Sequence, residues 1–398
     1  MTSLVKEKGG TFSLNKSEPI HRWYSYVEGY SSCLIKEELH KLLSMNSNIK
    51  GIYDPFCGTG TTALVASCQG ISSFYSESNP FMQKVIETKI NGVSAISKSH
   101  TIFKLEKYLD WVLKCKVQKY GSWNGFEKFF DSKQLDGLLT IKALISGEED
   151  QVIKDVLFIA LSAIVVKVSK MTRRGDLRYA TEKEYKAEDV FKCFLEKLQE
   201  IIFDIKNYGD RLKCGTVKIC EDARDNQYVD AFDCVITSPP YLNGTNYIRN
   251  TKLELKLNDF ISDEKELPVF HSKGIVAGIN NVSKRTNIEL ILPIVKPYIE
   301  MLKPVSYDER IPKMVAGYFR DMDKVIEKLS ISVKNGGFFT MDIGDSQFAG
   351  VHIPTHQILS EICSDYGFRL YDEEVLRQRH SKNGMILSQR LLRYRLEK

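Results

Sequence analysis

The sequence predicts an α/β fold: a mostly parallel sheet, a helical insertion and a terminal antiparallel strand pair. Three observations predict it. Short apolar strands alternate with segments of helical periodicity in both halves of the chain, the pattern of right-handed parallel units. Residues 97–208 carry helical spacing and no strand signal. Two alternating segments, 369–377 and 385–396, come last.

In chain order, Ser31 or Ser32 caps a helix over 31–45, whose Leu34, Ile35, Leu39, Leu42 and Leu43 share one side. Gly51-Ile52-Tyr53-Asp54 is a strand running into a glycine-rich turn. A helix over 61–68 stops before Gly70, a second strand covers 71–77, and a helix covers 79–90. Segments 149–171 and 184–206 are the main helices of the insertion. Strand signals return at 216–220 and 231–237. Residues 260–305 are irregular, interrupted by Pro268, Pro293, Pro297 and Pro304. A helix over 310–333 is ended by Gly336-Gly337, which leads into a strand over 338–343, and a helix over 354–366 ends at Gly367. The chain thus divides into 1–96 (N-terminal segment and first half of the core), 97–212 (helical insertion), 213–259 (core with a proline loop), 260–309 (irregular insertion) and 310–398 (C-terminal part of the core).

Composition excludes more than it selects. With 43% hydrophobic and 27% charged residues, the chain is neither disordered nor fibrous. A net charge of +5 is compatible with a polyanionic partner. Nine cysteines form no C-x-x-C pair and lie near no histidine cluster, so neither a disulfide framework nor a metal site is expected, and a reducing cytoplasm fits. The first residues hold no apolar leader core, and the longest apolar stretch, 156–166, is too short to cross a bilayer.

Two loops carry chemistry. The first is Asp54-Pro55-Phe56-Cys57-Gly58-Thr59-Gly60-Thr61-Thr62, at the carboxyl end of the first strand. Gly58 and Gly60 let a ligand approach the backbone, and the helix behind them offers free N–H groups and a positive dipole end. Asp54 is placed to pair with an amino group. A glycine pair alone would be only a strand–helix turn. This string is not a phosphate-binding Walker loop, since no lysine follows Gly60, and it lacks the third glycine of the dinucleotide fingerprint. Glu77, after the second strand, suits ribose hydroxyls. Asp222, after the third strand signal, is placed to accept from an adenine amino group, with Glu221 and Asp225 as competitors.

The second loop is Ser238-Pro239-Pro240-Tyr241, after the apolar strand Cys234-Val235-Ile236. Two prolines fix φ and remove two donors, leaving the Ser238 side chain and the Pro239 carbonyl as acceptors. A conjugated exocyclic amino group is a poor nucleophile. Two acceptors holding its hydrogens orient its lone pair, and attack on a sulfonium methyl then needs in-line placement more than a strong base. Tyr241 offers a face on which an extruded base can stack.

At these residues the chain resembles the S-adenosylmethionine-dependent amino-methyltransferases of bacterial restriction–modification and related defence systems, which modify cytosine N4 or adenine N6 of DNA. The resemblance rests on the string from Asp54 to Gly60, Glu77, Asp222 and Ser238-Pro239-Pro240-Tyr241. His21-Arg22-Trp23-Tyr24 resembles the segment that closes over the methionine end of the cofactor. Asn243-Gly244-Thr245-Asn246-Tyr247, Lys252-Leu253-Glu254-Leu255, and the stretch from Gly336-Gly337 through Ile343-Gly344-Asp345 are similar too. The likeness is weak in 98–165 and 260–305. It implies a Rossmann-like class I methyltransferase fold, S-adenosyl-L-methionine as cofactor, double-stranded DNA as partner with base flipping, a separately encoded restriction endonuclease, and neither membrane nor metal. It assigns Tyr24, Asp54, Pro55, Phe56, Cys57, Gly58, Gly60, Thr61, Glu77, Asp222 and Ser238 to the cofactor, and Ser238, Pro239, Pro240 and Tyr241 to catalysis. Serine at the head of the catalytic loop resembles the cytosine-N4 enzymes. The order, glycine loop first, departs from many of them.

Lys170, Arg173, Arg174 and Arg178 follow the apolar helix and, with Tyr179, form a basic stretch suited to phosphates. Asn243 and Tyr247 join them as expected DNA contacts. The polar segment with His271, Lys273, Asn280, Asn281, Lys284 and Arg285 suits base edges. His352 and His356 lack further ligands and read as ordinary residues. Alternatives are an adenine-N6 enzyme, a tRNA guanine-N2 methyltransferase (usually with an upstream RNA-binding domain, where only 53 residues precede Asp54), a protein glutamine methyltransferase (Asn where Ser238 stands), and an inactive DNA- or partner-binding module.

Overall fold

The structure is a computed structural model describing residues 10–25, 29–242, 246–282, 291–381 and 384–398, with Arg174 described in its backbone only. The chain opens with a short helical turn, His21–Trp23. Helix α1 (Ser32–Met45) starts at Ser31, whose hydroxyl accepts from the Leu34 N–H at 3.2 Å. Strand β1 (Gly51–Asp54) leads into the glycine loop and α2 (Thr61–Gln69). Gly60 takes φ +82° at the start of α2, and a Cβ there would stand 3.2 Å from Ile86, so only glycine fits without strain. Strand β2 (Ser72–Ser76) precedes α3 (Pro80–Glu87), capped by Asn79. The helix does not stop near residue 90: a π-helical turn, Thr88–Gly92, carries it into α4 (Val93–Ser99).

The insertion holds α5 (Ile102–Lys114), α6 (Ser132–Ser146), α7 (Gln151–Val165) and α8 (Val190–Tyr208). It also holds an unexpected antiparallel hairpin, β3 (Met171–Arg174) with β4 (Asp176–Tyr179). Only Met171 and Leu177 of its described side chains are buried, too few apolar anchors to produce an alternation signal. The helix expected over 149–171 therefore ends at Val165, and the one expected from 184 begins at Val190, capped by Asp189.

Strands β5 (Thr216–Cys220) and β6 (Phe232–Thr237) match the sequence signals. After the proline loop come α9 (Tyr247–Asn250), α10 (Lys252–Leu257), α11 (Leu267–His271) and α12 (Lys296–Leu302). Helix α13 (Arg310–Ser332) passes directly into β7 (Val333–Gly344). Gly336, at φ +74°, does not end the helix; it lies inside β7, where the register against β6 slips between Val333 and Phe338. A small hairpin, β8 (Ser346–Phe348) with β9 (Val351–Ile353), precedes α14 (Thr355–Asp365). Strand β10 (Phe368–His380) is longer than its sequence signal, β11 (Ile386–Leu396) matches its own to within one residue, and the two pair antiparallel.

The seven-stranded sheet has the order β10-β11-β7-β6-β1-β2-β5. Adjacent strands from β5 to β7 pair parallel, and β11 alone opposes its neighbours. This is the Rossmann-like class I methyltransferase arrangement, with the reversed strand inserted between the sixth and fifth. Both faces are covered, so the strands are apolar on both sides. Ile52, Cys234, Ile236 and Phe338 pack with Leu34, Ile35 and Leu39 of α1 and with Val65 and Ala66 of α2. Their alternates Tyr53, Val235, Phe339 and Met341 pack with Tyr318, Met322 and Val325 of α13 and with Ile358 and Leu359 of α14. Among the described residues no helix is long and apolar enough to cross a membrane.

Candidate active site

The carboxyl ends of β1, β2, β5 and β6 frame one cleft, as expected where an open α/β sheet reverses its strand order. Its wall includes Pro55, Phe56, Cys57, Gly58 and Thr61 of the glycine loop, Glu77, Asp222, and Ser238 and Pro240. Residues assigned from four separate stretches thus meet around one space of about 1070 Å³, part of it open to solvent.

Glu77 is held by two backbone donors. Its Oε2 accepts from the Gly58 N–H at 2.8 Å and its Oε1 from the Asn79 N–H at 2.9 Å. Burial nonetheless pushes its pKa up to about 7, because desolvation outweighs those bonds. Asp222 receives the Arg224 guanidinium on both oxygens, with the shortest contact 2.6 Å, and Arg224 reaches on to Asp321 at 3.2 Å. A charge-assisted fork already occupies much of its acceptor capacity.

Asp54 stands behind the wall. Its Oδ1 accepts from the Thr237 hydroxyl at 2.6 Å and the Phe56 N–H at 3.1 Å, and its Oδ2 from the Tyr30 hydroxyl at 3.0 Å. It ties β1 to β6 and to the start of α1. Gly60 also lies behind the wall and shapes the turn. Lys89, buried in the π-helical turn, donates to the carbonyls of Thr59 at 3.4 Å and His21 at 3.3 Å, and burial lowers its pKa to about 7.

The N-terminal segment departs from expectation. Tyr24 does not reach the cleft: its ring meets Phe81 edge-on at 5.1 Å and its hydroxyl donates to Glu254 at 2.9 Å. Asp204 of α8 pins the segment by accepting from the Ile20 N–H, the Arg22 guanidinium and the Trp23 indole N–H. Gly29 and Tyr30 line the cleft instead. Neither carries a sequence signal beyond standing just before the Ser31 cap.

Tyr241 turns away from this cleft. It lines a second cavity with Gly344 and Gln389, on the other side of the proline loop. Its ring packs so closely on β7 that a Cβ at Gly344 would stand 3.2 Å from it. Its hydroxyl donates to Asp342 Oδ1 at 3.1 Å, and the Gln389 amide donates to both Asp342 oxygens at 2.9 and 3.0 Å. Asp342 is buried with no cation beside it among the described residues, and burial lifts its pKa to about 7. The proline loop is therefore a partition between two cavities. Asp342 and Gln389 sit in otherwise ordinary strand patterns, and nothing in the sequence singles them out.

Of the expected DNA contacts, Arg173 is reassigned. Only 14% of its side chain is exposed, and it bonds Glu254 at 2.6 Å, the Tyr24 hydroxyl at 3.0 Å and the Asn250 carbonyl at 2.5 Å. A guanidinium spent on three internal acceptors is not offered to a phosphate. Lys170 pairs with Asp131 at 3.0 Å and Arg178 with Glu184 at 2.8 Å, both near the surface. Tyr247 is on the cleft wall. Arg174 lies in β3 without a described side chain, and Asn243, Lys284 and Arg285 lie outside the described residues. His271, Lys273 and Asn281, expected at base edges, line the first cleft. His356 bonds Asp345 at 2.6 Å, and His352 lies 3.5 Å from the same carboxylate.

No family model matches the chain. The chain is similar to three kinds of Type II methyltransferase over most of its length. It is 26% identical to M.AvaI of Nostoc sp., covering 90% of this chain and 81% of that one. It is 24% identical to M.BsoBI of Geobacillus stearothermophilus (96% and 85%) and 23% identical to M.MvaI of Kocuria varians (90% and 84%). Among solved structures, the rRNA methyltransferase aviRa of Streptomyces viridochromogenes overlaps 92% of this chain and 85% of its own at 9% identity and TM-score 0.34. A SAM-dependent methyltransferase of Methanosarcina mazei overlaps 90% and 97% at 7% identity and TM-score 0.30. Overlaps this loose add nothing to the sheet order above.

Proposed function

We propose that the chain is a restriction–modification DNA methyltransferase that moves a methyl group from S-adenosyl-L-methionine to the N4 amino group of a flipped cytosine. The observation that carries this reading is convergence: the glycine loop, Glu77, Asp222 and Ser238 line one cleft although as many as 183 positions separate them (238 − 55). The similarity to Type II methyltransferases supports DNA as the substrate, and the serine at position 238 supports cytosine. A separately encoded endonuclease of matching specificity is the expected partner.

The residues fit the cofactor. Gly58 and Glu77 both line the cleft, and Glu77 is a half-buried carboxylate whose pKa is raised by desolvation. Glu77 would take the ribose hydroxyls, the helix start at Thr61 the methionine carboxylate, and Asp222 the adenine amino group beside Arg224. The cofactor supplies an electrophilic methyl on sulfonium sulfur. The Ser238 side chain and the Pro239 carbonyl hold the two amino hydrogens of the base, so the lone pair faces that methyl. The proton displaced from the methylated nitrogen leaves to water. Pro239 and Pro240 keep the loop from bonding itself to the strand ends, since neither has an N–H.

Sequencing the methylome of cells expressing the chain tests the reading. N4-methylcytosine at one recurring motif is expected. N6-methyladenine would replace the base assignment, and unmodified DNA with modified tRNA would overturn the substrate.

Cofactor binding should also depend on pH. Glu77 is held protonated up to about 7 by burial, so its ionisation in the free protein costs stability as pH rises from the ordinary carboxylate range through 7. Ribose hydroxyls donate to the ionised form. Affinity for S-adenosylhomocysteine should therefore rise with pH, by up to about tenfold per unit below 7, and level off above it. Calorimetry from pH 5.5 to 8.5 should also show proton release near neutrality, and Glu77→Gln should flatten the profile. A flat wild-type profile would remove Glu77 from the ribose site.

A further inference from the structure

The second cavity has features that the reading above does not use. It opens on the far side of the proline loop and is lined by Tyr241, Gly344, Gln389, Leu387, Arg377 and Arg379, among others. Its geometry follows from strand register. Gly344 of β7 pairs with Gln389 of β11, and Gln389 pairs with Arg377 of β10. A single row thus crosses the sheet from Gly344, against which the Tyr241 ring packs, to Arg377. Arg379, two residues further along β10, points to the same side.

The row gives a distance. Neighbouring strands are about 4.8 Å apart, so the backbone of Arg377 lies about 10 Å from that of Gly344. That is about three base-pair rises along the axis of B-form DNA. The charges also differ by depth. The inner carboxylates are already engaged: Asp342 by Tyr241 and Gln389, and Asp345 by His356 and Ser388. At the rim, Arg377 and Arg379 are exposed and form no ion pair with any described residue. The neighbouring arginines Arg390 and Arg393 are paired with Glu373 and Glu374. Two adjacent same-face guanidinium groups left unpaired, where their neighbours are matched, mark a site for an external anion.

We propose that Arg377 and Arg379 bind backbone phosphates of the DNA strand flanking the base at Tyr241, making the terminal hairpin part of the DNA interface. This inference rests on the DNA methyltransferase reading. The occupant is a polyanionic strand passing the mouth of the cavity, and guanidinium forks match phosphate oxygens in pairs. The hairpin positions DNA and carries no base readout.

The test uses the full chain, S-adenosylhomocysteine and a duplex containing the site methylated in cells. Arg377→Gln with Arg379→Gln should weaken DNA binding about tenfold and lower the slope of log affinity against log salt by about 2. KM for DNA should rise while cofactor affinity stays unchanged. Arg377→Lys with Arg379→Lys should recover most of the salt slope. Arg369→Gln, at the other end of β10 and paired with Glu397, should leave the slope unaltered. An unchanged affinity and slope in the double Gln variant, or an equal loss in Arg369→Gln, would overturn the proposal. A wild-type chain that methylates no duplex at all would instead remove the reading it rests on.

Discussion

Replacing Tyr241 by alanine is expected to lower kcat by about 10²- to 10³-fold while leaving the affinity for S-adenosylhomocysteine within about threefold, since misplacing a reacting group costs rate at this scale. The separation follows from the partition. Ser238 and Pro240 touch the cofactor-side cleft, whereas Tyr241 lines only the other cavity. Tyr241→Phe keeps the ring on Gly344 and loses the bond to Asp342, so it should cost roughly tenfold in kcat, about the worth of one hydrogen bond. Single-turnover methylation with calorimetric cofactor binding checks both. A Tyr241→Ala protein that binds cofactor poorly and turns over normally once saturated would reverse the assignment of the two cavities.

The largest stability effect is expected at Glu254. Its side chain is fully buried and accepts from Arg173 at 2.6 Å and from Tyr24 at 2.9 Å. Glu254→Ala leaves a guanidinium buried without its counter-charge, and should lower unfolding free energy by about 3–5 kcal/mol. The loss appears as a lower urea midpoint with unchanged slope. Because breaking such a pair is worse than removing it, Glu254→Leu with Arg173→Met should recover much of the loss. Arg173→Ala separates two roles for this arginine. As an internal tether it destabilises the fold; as a phosphate contact it would weaken DNA binding at an unchanged midpoint. The tether joins the β3–β4 hairpin to α9, where Asn250 also accepts from the Leu177 N–H and donates to the Gly175 carbonyl, both at 2.6 Å.

What was legible in the sequence follows a physical division. β1 and β6 were located because buried parallel strands are continuously apolar and end in turn residues. A capped helix such as α1 carries its start signal in sequence, at Ser31. Local backbone requirements were legible too, as at Gly60, whose left-handed φ only glycine takes freely. Side-chain direction was not. Tyr24 and Arg173 are the right residue types for ligand contacts, and only the fold shows that both spend their polar atoms on Glu254. Tyr30, Asp342 and Gln389 act through partners 24 or more positions away, which no local pattern encodes. Gly336 misled for a related reason: a left-handed glycine suits a helix stop and a strand bulge equally, and pairing with β6 decides between them.

The place of β11 bears on how such a chain can be cut and rejoined. The Gln389 amide donates to the Gly10 carbonyl at 3.0 Å, and Arg393 forks onto Glu38 across 355 positions, so the first and last described elements lie side by side. From Gln389 to Lys398 the chain runs nine residues, about 30 Å of extended strand, a span that a linker of about ten residues covers. Residues 181–188, between β4 and α8, have no regular structure and are largely exposed, suited to an opening. A circular permutant joined at the first point and opened at the second would read β5, β6 and the proline loop first and the glycine loop last. Every contact of the active site would be the same. Linear order is thus free to drift while the pocket stays fixed.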